Sequence, residues 1–242
     1  MKLAAITLWI LAGAALTGGA YWTFLITPES TVGSLAVSAL LLAVAFFLLA
    51  VTVNGAIQGW ARGLSVPVLR SAITGAAAIV PAVLVFAAVW WLVGSVTDRV
   101  TLYSGQINAW FIARFGWSDL SGLFRAIDWA AIWMKGVAAP MLALSLMAAI
   151  TLAGWPSLAR ATWLKHAVSP LRLALATLWF ALFVAAPWIY LAPWRPQGLP
   201  ATSVELMFIA AKLSVTALLM AIGVALIIRQ ATWTTSTPSS AS

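Results

Sequence analysis

Long apolar runs alternate with short polar connections along this chain, and only one connection is long. A helix needs about 20 apolar residues to span the hydrocarbon core of a bilayer. Six runs reach that length: Leu3 to Ile26, Ser34 to Ile57, Ala72 to Val96, Gly136 to Trp155, Leu171 to Ala192 and Val204 to Ile228. The pattern predicts an all-α polytopic membrane protein, with six transmembrane helices in one domain over residues 1–229. A polar tail, Gln230 to Ser242, follows with the Ser, Thr and Pro content of a disordered linker. The first run resembles a signal peptide in having Lys2, an apolar stretch and then Gly18, Gly19 and Ala20. Because the apolar run continues through Tyr21, Trp22, Phe24 and Ile26, a retained anchor helix is expected.

The long connection, Asp98 to Lys135, mixes Trp110, Trp117, Trp129 and Trp133 with Arg99, Arg114, Arg125, Asp119 and Asp128. That mixture suits an amphipathic segment lying at a lipid–water boundary. Ile107, Trp110, Phe111 and Phe115 recur at roughly helical intervals, and Leu120, Leu123, Phe124, Ile127 and Ala131 do so more cleanly. Two short surface helices are expected, separated by Gly116, with Ser118 as N-cap of the second.

Composition narrows the class. With 64% hydrophobic and 7% charged residues and a mean hydropathy of +1.04, the chain departs far from soluble domains, in which about a quarter of residues are charged. The net charge of +8 does not point to nucleic acid, because the basic residues are scattered singly through short loops. Their distribution sets an orientation instead. Lys2, Arg62, Arg70, Arg160, Lys165, Arg172 and Arg229 fall on one side with no acid among them. The other side holds every acidic residue, Glu29, Asp98, Asp119, Asp128 and Glu205, beside Arg99, Arg114, Arg125, Lys135 and Arg195. The positive-inside rule then predicts both termini in the cytoplasm, in a bacterial inner membrane, with the Trp-rich segment outside. Tryptophans agree: Trp22, Trp90, Trp91, Trp188 and Trp194 join those of the long connection at the outer boundary, and Trp60, Trp155, Trp163 and Trp233 mark the inner one.

Small residues predict where helices approach closely: Ala14 with Gly18 and Ala15 with Gly19 in the first run, Ala217 with Ala221 in the sixth. Pro81, Pro140 and Pro187 interrupt the third, fourth and fifth runs, and each frees a backbone carbonyl that a neighbour must satisfy. Val66-Pro67-Val68-Leu69-Arg70 and Val168-Ser169-Pro170-Leu171-Arg172 form a faint repeat, explained by proline and arginine opening a spanning helix.

Chemistry-bearing residues are sparse. No cysteine is present, which excludes disulfides and thiolate ligands, and the lone His166 excludes a bis-histidine haem held by this chain alone. No phosphate-binding glycine loop, mid-membrane acid or hydrolase dyad occurs, and no cofactor is called for. Lys212 is the single charge in the interior of a predicted span, Arg172 and Glu205 standing at the ends of theirs. It reads either as an intramembrane site or as a snorkelling side chain drawn outward by Glu205, two turns away on the same face. Asn54 and Gln58 are the other polar pair, explained by hydrogen bonds between helices.

The reading that follows is a non-catalytic integral membrane subunit, a scaffold or accessory component whose partners are the lipid bilayer and other membrane subunits. Trp110, Phe111, Trp129 and Trp133 are its expected partner or lipid contacts. The competing class is a small permease for an apolar, lipid-like or small anionic solute, since a polar solute needs more midplane polar groups than Lys212, Ser214, Thr216 and Thr177 supply.

Overall fold

The structure, a computed structural model, describes residues 1–28, 30–116, 120–191, 193–194 and 202–232, with backbone alone at 202 and 203. No strand occurs among them. Glu29, Trp117, Ser118 with its expected cap, Asp119, Ala192, Arg195 and the tail from Trp233 onward lie outside the described residues. Among the described residues ten α-helices run in order: α1 (Lys2–Ile26), α2 (Val32–Arg62), α3 (Val66–Thr74), α4 (Ile79–Leu102), α5 (Ser104–Phe115), α6 (Ser121–Trp133), α7 (Ala139–Ala153), α8 (Thr162–Ala167), α9 (Pro170–Phe180) and α10 (Thr202–Thr232). Among the described residues six stretches are long and apolar enough to cross a membrane, and each overlaps one of the predicted runs: Lys2–Ile26, Val32–Arg62, Ala76–Leu102, Ser121–Ala153, Pro170–Leu191 and Val204–Thr232.

Two boundaries move for identifiable reasons. The third span starts at Ala76, because residues 66–74 form the separate helix α3, which stops at Gly75. The Gly75 N–H bonds to the Ser71 carbonyl at 2.9 Å, and a single tight turn over Ala76–Ala78 leads into α4. Pro81 lies just beyond, where its missing N–H cannot serve the Ala77 carbonyl, and a tighter turn accommodates that loss. The fourth span begins much earlier than predicted. The second surface helix, α6, runs without a break through a widened π turn at Met134–Ala138 into α7.

Pro81, Pro140 and Pro187 thus all sit beside departures from α geometry. In the fourth span the Ala139 N–H reaches back to Met134, so the ring of Pro140 does not strike the carbonyl of a regular turn. In the fifth, π turns at Ala181–Ala185 and Pro187–Leu191 surround Pro187. Partner helices lean on these loosened segments. A Cβ on Gly136 would lie 2.8 Å from the Phe180 ring, and one on Gly223 of α10 would lie 2.7 Å from Phe183.

The close approach of α1 and α2 uses glycines other than those expected. Gly18 and Gly19 face open space, with no atom outside their own stretch of helix within 4 Å of where a Cβ would stand. Gly13 lies against the side chain of Thr52, and Gly55 lies against the indole of Trp9, where a Cβ would stand 2.7 Å from the ring. Trp9 Nε1 then donates to the Thr52 carbonyl at 2.8 Å. The small-residue pattern in the sequence was one to two turns out of place because adjacent glycines do not say which of them faces a neighbour. In α10, Ala221 is buried while Ala217 is exposed.

The core gathers the start of α1 (Ile6, Ile10), the end of α2 (Ala56, Ile57), the start of α4 (Ala82), the end of α7 (Leu146 to Ile150) and the end of α10 (Ala225, Ile228). Trp60 Nε1 donates to the Ala225 carbonyl at 2.9 Å, and the Arg229 guanidinium lies 5.5 Å from the centre of the Trp60 ring, so α2 and α10 are tied where both end. Asn54, fully buried, donates through Nδ2 to the Ala72 carbonyl at 3.0 Å and ties α2 to the broken third helix. Asn54→Leu leaves that carbonyl without its donor. The variant is expected to melt about 3 °C lower in detergent, the equivalent of about 1 kcal/mol, with helical content by circular dichroism unchanged.

Candidate functional site

The predicted outer platform is built from α5 and α6. α5 ends at Gly116, whose φ of 68° is the left-handed conformation that glycine adopts most readily, and the Gly116 N–H closes the helix on the Ile112 carbonyl. On α5 the rings of Trp110, Phe111 and Phe115 pack on one another, with centroids 5.0 to 5.6 Å apart. Trp110 remains 57% exposed, and Trp129 on α6 is 67% exposed.

Trp133 behaves differently. Its Nε1 donates to Thr177 Oγ1 at 2.8 Å, and its ring packs against a cluster of Val137, Met141, Ala176 and Ile227, so it anchors α6 to α9 inside the bundle. Of the four aromatics expected to meet a partner or lipid, this one is committed to the protein itself. Nothing in the sequence distinguished it, because its partner Thr177 is 44 residues away.

Between α4, α5 and α6 lies a cleft of about 500 Å³ that was not anticipated. Thr97, Thr101, Asn108 and Asp128 supply polar edges, and Val100 and Phe124 an apolar floor. The Asn108 Oδ1 is buried there without a hydrogen-bond partner.

Lys212 bends toward the connection preceding its helix. Its ammonium donates to the Trp194 carbonyl at 3.2 Å and lies 5.9 Å from the centre of the Phe208 ring, which itself packs on Trp194 at 5.4 Å. Glu205 is exposed in the first turns of α10. The stem of Lys212 therefore follows the snorkelling direction, with a backbone carbonyl as an acceptor.

At the opposite end, two hollows flank the last turns of α7. One, of about 180 Å³, opens where the third helix breaks and is bordered by Gln58, Ser71, Thr74, Gly75 and Thr151. The other, of about 120 Å³, is lined by Ser145, Ser157, Thr162, Trp163 and His166. The Asn54–Gln58 pair was visible in the sequence, four residues apart on one helix face. The hollow beside it was not, although Gly75 followed by Pro81 marked the break that opens it.

His166 has its pKa lowered from the usual 6.5, first by burial and then by the Arg172 guanidinium. The folded protein therefore binds fewer protons here than the unfolded chain. Stability present above about pH 6.5 declines as pH falls through that value toward the folded-state pKa, and levels off below it. With one histidine in the chain, the imidazole NMR signal is unambiguous. It should titrate below 6.5, and Arg172→Gln should raise its midpoint only in part, since burial remains the larger cause.

Among the described residues no cluster of His, Cys, Asp or Glu is assembled that would hold a metal ion. Fold and sites together define a helical, multi-span protein of the membrane class. The chain matches no protein-family model, no curated protein and no solved structure.

Proposed function

We propose that this chain is a non-catalytic subunit of a larger bacterial inner-membrane assembly, with both termini cytoplasmic and the α5–α6 segment as its outer partner-binding platform. The observation that carries the reading is the length of the fourth helix. From Ser121 to Ala153 it has 33 residues, about 50 Å at 1.5 Å per residue against a hydrocarbon core of about 30 Å. We place that excess of some 20 Å at one end of the helix, past the core. In this reading that end is α6, which with α5 carries Trp110 and Trp129 with more than half of each residue exposed. Large aromatic side chains held on an arm beyond the bilayer suit a protein interface, where Trp, Tyr and Arg carry most of the energy.

The orientation rests on the segregation of charge. Reporters fused after Arg70 and Pro170 should behave as cytoplasmic, and a reporter at Gly116 as external. External activity after Pro170 would overturn the topology.

The partner assignment is tested by alanine variants and co-purification in mild detergent. Trp110→Ala, Phe111→Ala and Trp129→Ala should each weaken retention of partner subunits by about tenfold, equivalent to about 1.4 kcal/mol, with the chain still inserted. Trp133→Ala should instead lower the melting temperature of the isolated chain, through loss of its bond to Thr177. Intact co-purification across the first three variants would mean that these rings rest in lipid.

A permease is the second reading, favoured by the polar hollow at the broken third helix. It predicts altered solute uptake with unchanged subunit composition when residues of that hollow are replaced.

A further inference from the structure

The hollow at the break of the third helix has a polarity that hydrogen-bond accounting decides. The Ala72 carbonyl can only accept, so the Asn54 carboxamide must turn its Nδ2 toward it, at 3.0 Å. The Asn54 Oδ1 then faces Gln58, which must present Nε2, at 3.4 Å. That leaves Gln58 Oε1 as the free end of the relay. It is buried and without a partner on a residue that is 2% exposed and that borders the hollow. Thr151 Oγ1, on the facing helix α7, is likewise buried and without a partner. Thr74 gives its hydroxyl proton to the carbonyls of Arg70 and Ser71, which leaves its lone pairs to accept.

The space is thus bordered by oxygens able to accept, on Gln58, Thr74 and Thr151, beside the apolar Ala77, Ala78, Ile150 and Trp155, and among the described residues no ionisable side chain borders it. The nine-residue helix α3 ends here, and the carbonyl end of a helix carries partial negative charge. Gly75 is required for the arrangement, because a Cβ there would stand 2.6 Å from Asn54 Nδ2 and push the relay out of line.

We propose that this hollow binds a monovalent alkali cation, with Gln58 Oε1 and Thr151 Oγ1 as direct ligands and water completing the shell. Neutral and backbone oxygens suit a hard cation, and the absence of carboxylates disfavours calcium and magnesium, which draw on them. A volume of about 180 Å³ accommodates the ion with several waters. The end of α3 borders the hollow through Ser71, Thr74 and Gly75, and the carbonyl end of a broken helix is a feature that cations can exploit. The inference is independent of the partner assignment, since it concerns the other end of the bundle.

The test is thermal unfolding of the full chain in mild detergent, comparing lithium, sodium and potassium chloride with choline chloride at equal ionic strength. At least one alkali ion should raise the melting temperature by about 3 °C at saturation. Thr151→Val, which exchanges a hydroxyl for a methyl outside the relay, should abolish the shift, as should Gln58→Leu. Gln58→Glu should lower the concentration needed for half the shift by tenfold or more. If Gln58→Leu fails to fold, Thr151→Val decides. Equal melting in choline and in all three alkali salts overturns the proposal, as does a shift that survives Thr151→Val. A glycerol-dependent shift that Thr151→Val abolishes, with no response to alkali ions, assigns the hollow to neutral hydrogen-bond donors and also overturns it.

Discussion

The packing of the bundle's more buried end depends on one carboxamide. Asn54 lies at 0% exposure and spans the gap between α2 and a third helix that has stopped being α-helical at Gly75. In a regular helix the Ala72 carbonyl would be served from within, by the N–H four residues on. Where the helix breaks, a side chain from a neighbour supplies the donor, and the break can exist inside an apolar bundle without leaving an orphaned carbonyl. The same requirement shapes Gly75, since any side chain there would occupy the space of the donor. Asn54, Gly75 and the turn before Pro81 are therefore one device seen at three positions.

Proline placement follows the same logic along the other helices. Each intrahelical proline removes a donor, and beside each the chain tightens or widens by one step of hydrogen bonding. Such turns bulge or narrow the helix surface, and aromatic or branched side chains of the next helix settle into the relief: Phe180 against Gly136, Phe183 and Val184 against Gly223. Helix distortion and helix packing are coupled here, because without hydrophobic exclusion of water between helices the association rests on close contact and hydrogen bonds.

The spans were legible because hydropathy over about 20 residues is a property of the segment, indifferent to which face meets what. Orientation of a face is not such a property. Gly18 and Gly19 satisfy the same local pattern as Gly13 and Gly55, yet only the latter pair meets a partner helix. Trp133 and Trp129 stand four residues apart on one helix. One is bonded to Thr177 and the other is exposed, a difference set by where α9 lies. The continuity of α6 with α7 escaped notice for a further reason: Arg125, Asp128 and Lys135 interrupt the hydropathy while leaving helical periodicity intact. Among the candidate site residues, Lys212 was singled out by its charge, and its bond to the Trp194 carbonyl follows from the reach of its stem. Thr151 carried no signal at all, since a threonine in an apolar helix is ordinary until its hydroxyl is found without a partner.

Burial is unevenly distributed along the bundle, and that asymmetry bears on what each end does. Ile6 and Ile10, residues 54–59, and Ala225 to Thr232 are almost continuously buried, whereas the second half of α1, the first dozen residues of α2 and the last 20 of α4 contain a single buried residue, Ser38. Helices joined tightly at one end and loosely at the other have rigid geometry only where they are joined. The oxygen-lined hollow lies at the rigid end, where ligand positions are held by the Asn54 relay. The exposed aromatics Trp110 and Trp129 lie at the loose end, where helix surfaces have few contacts within the chain. A cleft of about 500 Å³ between α4, α5 and α6 lies in the same region. The two ends thus differ in physical character: one holds its polar groups in fixed positions, and the other leaves large aromatic side chains uncovered within the chain.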